Sequence, residues 1–212
     1  MTATLMARKL GMTQIFNEDG TVVPVTAFEA GPCMVVSLKT KASDGYDAVV
    51  LGYRSVRPGR LSKPREGVFR KAGVGPMAHL FEVRVDDPAA FQVGQELRCD
   101  VFQAGDRVDV SGVSKGKGFQ GQVRRHGFSR GPESHGSMNV RQAGSIGATD
   151  AARVFKGTRM AGHMGSSQAT VRNIRVVSSD SERNLLLVRG GVPGARNGEV
   201  LIRPTNIRIR RQ

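Results

Sequence analysis

Nine cationic side chains, Lys115, Lys117, Arg124, Arg125, Arg130, Arg141, Arg153, Lys156 and Arg159, fall within residues 113–163, against two acidic ones, Glu133 and Asp150. A guanidinium group makes bidentate hydrogen bonds to phosphate and stacks on flat rings, and an ammonium group acts as a flexible point charge. Phe119, Phe128 and Phe155 are interleaved with these cations. Each ring either stacks on an unpaired base or packs back onto the protein. Glycine recurs at 116, 118, 121, 127, 131, 136, 144, 147, 157 and 162, and no apolar run is long enough to build a core. Such a stretch cannot bury enough surface to offset the entropy of ordering it. The chemistry it offers is attraction to a dense array of negative charge, and nucleic acid is the common biological array of that density.

Other chemistries fit the same residues less well. Gly116-Lys117-Gly118-Phe119-Gln120-Gly121 matches GxGxxG. A dinucleotide site needs a sustained helix after it and an acidic residue about 20 positions on. Only a turn or so precedes Gly127, and no acidic residue lies between Glu133 and Asp150. Lys117 is followed by glycine and not by Ser or Thr, so the stretch is not a Walker A loop. It reads instead as a Lys-bearing backbone that can approach phosphate closely. His126, His135 and His163 have no neighbouring Cys and no HxH or HxxxH spacing, which argues against a metal site. Ser134, His135 and Asp150 form a triad only on paper, since nothing in a glycine-rich run would hold them in place. These histidines read better as donors to phosphate or 2′-hydroxyl groups, or as side chains packed locally, with His135 and His163 as RNA-contacting candidates. No cofactor, metal or small-molecule substrate is expected.

The elements that must position this stretch lie on either side of it. Net charge is +14, and it is unevenly spread: +1 over residues 1–112, +7 over 113–163 and +6 over 164–212. The first part therefore looks like an ordinary soluble body, and the body is expected to comprise 1–112 and 164–212 with 113–163 as an extended arm. Short runs rich in Val, Leu and Phe, separated by Gly, Asp and Pro, predict strands. They cover 21–28, 33–39, 48–53, 80–85, 97–102, 107–110, 170–177, 185–189, 200–203 and 207–210. Pro24 suggests an edge strand or a bulge. In the last run Ile207 and Ile209 alternate with Arg208 and Arg210, giving a strand with a basic face. Helix signals are confined to Pro64–Ala72 and a short helix opened by Asp87-Pro88. The fold class is mainly β, an antiparallel barrel or sandwich. Cys33 and Cys99 sit in apolar runs and read as buried free thiols in a reducing compartment. The N-terminus has no apolar signal region and no run is long enough to span a bilayer, so the cytoplasm is the expected location and no membrane partner is implied.

Several blocks together resemble a known family. They are GVSKGKGFQG (112–121), HGS (135–137), GSIG (144–147), VFKGTRMAGHMG (154–165) and LLLVRGGVPG (185–194), with KLGMTQIF (9–16) and AGPC (30–33) before them. In this order they resemble the bacterial form of large-subunit ribosomal protein three, over essentially the whole chain. The resemblance implies a translation-protein-like antiparallel β-barrel with a small α/β insertion and a long irregular extension. It implies direct binding of large-subunit (23S) rRNA, a role early in subunit assembly, neighbouring large-subunit proteins as partners, and no enzymatic activity. The extension corresponds to 113–163. Its tip, Asn139, Arg141, Gly144, Ser145, Ile146, Gly147 and Ala148, is implied to lie nearest the peptidyl-transferase centre. Two departures stand out. Many bacterial members carry a methylated Gln directly after GSIG, where this chain has Ala148. A Thr-Pro-Gly run before VFKG is replaced by Asp150-Ala151-Ala152-Arg153.

The candidate RNA-contacting residues are therefore the nine cations named above, His135 and His163, and the basic strand faces of the body at Arg172, Arg208 and Arg210. Recognition is expected through phosphate, 2′-hydroxyl and shape, with little reading of bases. An RNA-modifying enzyme on a β body would need a cofactor loop or an acid/base pair, and a GTP-binding translation factor would need a Walker A loop. Neither is found in the sequence.

Overall fold

A computed structural model describes residues 4–206. The predicted strand 207–210, with Arg208 and Arg210, lies outside the described residues. The chain is mainly β and divides into two compact units: 1–113 with 168–212, and Ser114–Ser167. The second unit starts one residue later than the charge boundary suggests and ends four residues later.

In the first unit, six antiparallel strands hydrogen-bond in a closed ring. They are β1 (Leu5–Phe16), β2 (Val22–Ala30), β7 (Arg107–Val113), β10 (Gln168–Asp180), β11 (Leu185–Arg189) and β12 (Glu199–Pro204), in the spatial order β1-β12-β7-β10-β11-β2. Between β2 and β7 the chain builds a second sheet of β3 (Cys33–Lys39), β4 (Ala48–Ser55), β5 (Met77–Arg84) and β6 (Glu96–Leu97), ordered β5-β4-β3-β6. A one-turn helix α1 (Lys41–Asp44) joins β3 to β4, and α2 (Lys63–Ala72) lies between β4 and β5.

The ring is held by a period-2 pattern. Pairs two residues apart face inward from every strand: Leu5 and Ala7, Phe28 and Ala30, Val108 and Val110, Ile174 and Val176, Leu186 and Val188, Val200 and Ile202, all buried in one cluster. Full burial of each larger aliphatic or aromatic side chain stabilises the fold by about 1.5–3 kcal/mol. Gly112 keeps this interior closed, because a Cβ there would meet Val200 Cγ1 at 2.9 Å. The inserted sheet buries Val35, Val49, Leu51 and Val83 in one cluster. Val36 and Met77 pack with Phe69 of α2 in another. Pro64 at the start of α2 and Gly73 in the left-handed conformation at its end fix the helix boundaries.

Three local expectations change. The apolar run 97–102 is not one strand: β6 stops at Leu97 and a 3-10 turn covers Cys99–Val101. Cys99 turns inward there, and its thiol donates to the Asp180 carbonyl at 3.1 Å. Strand β1 carries no strong sequence signal, because Lys9 occupies an inward position that alternation would give to an apolar residue. Pro24 is neither on an edge nor in a bulge. It pairs with Gln14 of β1, while its carbonyl accepts from the Gly190 N–H just past the last β2–β11 pair, Val25 with Arg189. Its missing N–H falls where that ladder has already ended.

Candidate nucleic-acid interface

The unit Ser114–Ser167 is built without a core. None of its residues is buried. Phe119 is 75 % exposed and Met138 93 %, and Phe155 and Ile146 are also exposed. Backbone hydrogen bonds and glycine geometry shape it instead. This differs from the wholly irregular stretch that composition predicts.

Its two ends form a narrow ribbon. β8 (Gly118–Gln120) pairs antiparallel with β9 (Gly162–Met164), placing Phe119 opposite His163. The Ser114 N–H donates to Ser167 O at 2.9 Å, and the Lys117 N–H to Met164 O at 2.9 Å. Gly165 makes this crossing possible. It has φ +74, and a Cβ there would collide with the Lys115 carbonyl. The result is that Lys115, Lys117 and His163 stand exposed on a thin two-stranded backbone.

Helix α3 (Gln122–His126) follows, ending at Gly127 in the left-handed conformation. It has only five residues, so the GxGxxG string does not open a dinucleotide-type helix. From this helix Arg125 Nη1 donates to the Met160 carbonyl at 2.8 Å, and His126 Nε2 lies 3.0 Å from the same oxygen. Gly162 leaves room for the guanidinium, since a Cβ would sit 2.8 Å from Arg125 Nη1. Arg125 thus ties the outgoing chain to the returning one. The Phe128 ring is half-buried and lies 6.1 Å from the His126 ring.

Farther along, Arg130 pairs with Glu133. The Gly131 N–H donates to Val140 O at 3.1 Å, and a Cβ on Gly131 would collide with Asn139 O. These contacts close a loop that displays His135, Met138, Asn139 and Arg141. Gly144–Ala148 is exposed throughout, and the Ser145 hydroxyl donates to Gly147 O at 3.0 Å. On the return path the Arg153 guanidinium lies 5.7 Å from the Phe155 ring centroid.

The nine predicted cations therefore fall into two groups. Arg125, Arg130 and Arg153 have protein partners, and Arg124 reaches Gln120 at 3.4 Å. The side chains of Lys115, Lys117, Arg141, Lys156 and Arg159 are exposed and pair with no described side chain. The Arg130–Glu133 pair is legible from its i,i+3 spacing, but the Arg125–Met160 contact spans 35 positions and leaves no local signal. On the ring, Arg172 is exposed on β10. Ser134, His135 and Asp150 are all exposed and share no hydrogen bond. Among the described residues no group of three His, Cys, Asp or Glu is placed to hold a metal, and no helix is long and apolar enough to cross a membrane. Exposed cations and aromatic faces on a coreless scaffold can neutralise and stack. They cannot hold a reactive geometry.

Comparison with known proteins gives consistent matches. The family model for ribosomal protein L3 matches residues 71–184. The large ribosomal subunit protein uL3 of Carboxydothermus hydrogenoformans is 49 % identical over 203 residues, 96 % of this chain and 97 % of that protein. Its counterparts in Pelotomaculum thermopropionicum, 51 % identical over 96 % of this chain and 97 % of theirs, and in Acetivibrio thermocellus, 50 % over 97 % and 98 %, are similar over the same extent.

Proposed function

Because the chain belongs to the ribosomal protein L3 family, we propose that it is a structural constituent of the large ribosomal subunit whose central unit threads between segments of 23S rRNA. It is not an enzyme. Its partners are large-subunit rRNA and neighbouring large-subunit proteins, and its place is the cytoplasmic ribosome. The closed ring serves as the translation-protein-like β-barrel that anchors the molecule, with the β3–β6 sheet and α2 as its α/β insertion. The stretch 113–163 is the rRNA-penetrating arm. Its tip, Asn139 to Ala148, lies toward the peptidyl-transferase centre, and early binding of this arm assists subunit assembly.

The observation that carries this reading is the pairing of two facts in Ser114–Ser167: no residue is buried, and five exposed cations pair with no side chain among the described residues. RNA helices packed side by side repel one another. A thin cationic strand lowers that repulsion where a packed domain would not fit. Lys115, Lys117, Arg141, Lys156 and Arg159 make the phosphate contacts, with Arg172, Arg208 and Arg210 adding contacts from the body. Arg124, Arg125, Arg130 and Arg153 contribute charge while shaping the backbone. Phe119 and His163, opposite each other on the ribbon, offer a stacking face and a hydrogen-bond donor, and His135 offers another donor.

Crosslinking within intact subunits, followed by peptide-level mapping, tests the reading. Peptides containing 139–150 are expected to carry nucleotides of the catalytic centre. Crosslinks from these peptides only to rRNA remote from that centre would overturn the placement of the tip.

A further inference from the structure

The near-neutral charge of the first half hides a strong local imbalance. Residues 54–71 carry seven Lys and Arg against one acidic residue, Glu66. The remainder of 1–112 is net negative. The structure concentrates several of these cations on one concave surface beside β4 and α2. Arg54, Arg57, Arg60 and Arg65 line a concavity of about 850 Å³ together with His79.

Two features of this surface are unfavourable for the protein alone. Arg57-Pro58-Gly59-Arg60 is a tight turn. The Arg60 N–H donates to Arg57 O at 3.3 Å, and Gly59 has φ +85, which is the geometry of a type II turn. The turn holds Arg57 and Arg60 at its two ends, within about 7 Å of each other at Cα. Neither has a carboxylate partner among the described residues, and both are exposed. Second, Lys63 and Arg65 occupy the first turn of α2, where the helix dipole disfavours positive charge; Glu66 in the same turn offsets only one of the two, and Ser62 makes no side-chain cap. The nearby carboxylates are already engaged: Glu66 with Arg70 at 3.5 Å, and Glu199 with His79 at 2.6 Å and Arg54 at 3.8 Å. Elsewhere in the first half, Arg8 and Arg98 each have a carboxylate within hydrogen-bond distance.

We infer that Arg57, Arg60, Lys63 and Arg65 form a second anion site, on the folded body, that takes the phosphate backbone of an RNA segment. A phosphate between Arg57 and Arg60 would relieve the repulsion that the turn builds in. Another at the start of α2 would reverse the unfavourable sign of charge there. No Phe, Tyr or Trp lines the surface, its one ring, the His79 imidazole, is held by Glu199, and its apolar members are Val56, Leu61 and Ala78, so the contact is made mainly through phosphate. RNA is favoured over an acidic protein segment because the surface has few apolar side chains to bury against a protein. The inference rests on the RNA-binding reading of the whole chain, and it adds a contact far from the arm in sequence.

The test compares full-length variants binding large-subunit rRNA across a salt series. One variant carries Arg57→Gln, Arg60→Gln and Arg65→Gln, a second carries Arg→Lys at the same three positions, and a third carries Lys115→Gln, Lys117→Gln and Arg141→Gln. Each phosphate contact contributes about 0.7–0.9 to the log–log slope. The body Gln variant is expected to lower the slope by about 2, the Lys variant to retain it, and mapped crosslinks from peptide 57–65 to RNA to disappear in the Gln variant. All three positions are exposed, so an unchanged thermal midpoint should show that the body still folds. If the arm variant loses slope and the body Gln variant does not, the second site is wrong and the arm reading stands. If the body variant keeps its rRNA slope but loses a neighbouring protein from the subunit, the surface is a protein contact and the inference fails. If neither variant changes the slope, the RNA-binding reading itself is wrong.

Discussion

Lys9 shows what a single residue can settle. It continues the inward row of β1 after Leu5 and Ala7, and it is 8 % exposed. Its ammonium donates to Val192 O at 3.0 Å and Gly194 O at 3.1 Å, tying β1 to the loop between β11 and β12. Hydrogen bonds from a charged donor contribute about 1.5–3 kcal/mol each. Replacing Lys9 with Met keeps the length and removes both donors, so urea unfolding should show a loss of about 2 kcal/mol or more. A change within about 0.5 kcal/mol would mean that the ammonium is solvated and the loop is held by other contacts. Cys33 gives a second prediction. Burial pushes its thiol from an ordinary 9.0 up to about 12, although Sγ lies 3.7 Å from Met6 O. The unfolded chain ionises first, so the contribution of Cys33 to stability is intact below about pH 9 and declines as the pH climbs toward 12. At pH 8 the native protein should resist a thiol reagent that modifies both cysteines in denaturant. Rapid labelling of Cys33 in the native protein would contradict its burial.

At the scale of elements, the ribbon β8–β9 depends on one glycine more than on its strand sequence. Gly165→Ala imposes a left-handed conformation on an L residue, which costs about 1–2 kcal/mol, and adds a collision with the Lys115 carbonyl. Gly144→Ala, at φ +78 with no atom near its Cβ, carries only the first of these. Hydrogen exchange should therefore show the Lys117 amide losing protection by about tenfold or more in the Gly165 variant and little in the Gly144 variant. Equal effects would mean that the crossing relaxes around a side chain. The same contrast explains how much of the fold was readable. Strands 33–39 and 185–189 match their sequence limits because dense Val and Leu runs end at Gly, Pro or polar turns. The helix is found within one residue because Pro64 and Gly73 bracket it. Strand β1 is hidden in the sequence because its inward row ends in a lysine whose partners are more than 180 positions away. The ribbon and α3 leave no sequence signal because their stability lies in backbone bonds and glycine conformations, which composition does not encode. The cationic character of Ser114–Ser167 was legible at once, but its division into paired and exposed cations was not. The basic turn at Arg57–Arg60 was hidden by averaging charge over the whole first half.

For the whole molecule, the consequence is a polyanion binder whose formal charge overstates its contacts. The chain has 32 cationic residues, yet many are held by carboxylates or carbonyls of the protein itself. A cation already bonded within the protein displaces fewer counterions when RNA arrives than one that is exposed and unpaired. Within Ser114–Ser167, five of the nine Lys and Arg side chains meet the second description. Single neutral substitutions should therefore separate in a salt series. Lys115→Gln, Lys156→Gln or Arg159→Gln should each lower the log–log slope for rRNA binding by about 0.7–0.9. Arg130→Gln should lower it by much less, because Glu133 already neutralises that guanidinium. Arg125→Gln should act differently again. Losing its bond to Met160 O disturbs the backbone at Gly162, so affinity falls at every salt concentration while the slope changes little. If all five substitutions shifted the slope by the same amount, RNA would be responding to net charge alone, and the geometry of the central unit would have no part in recognition.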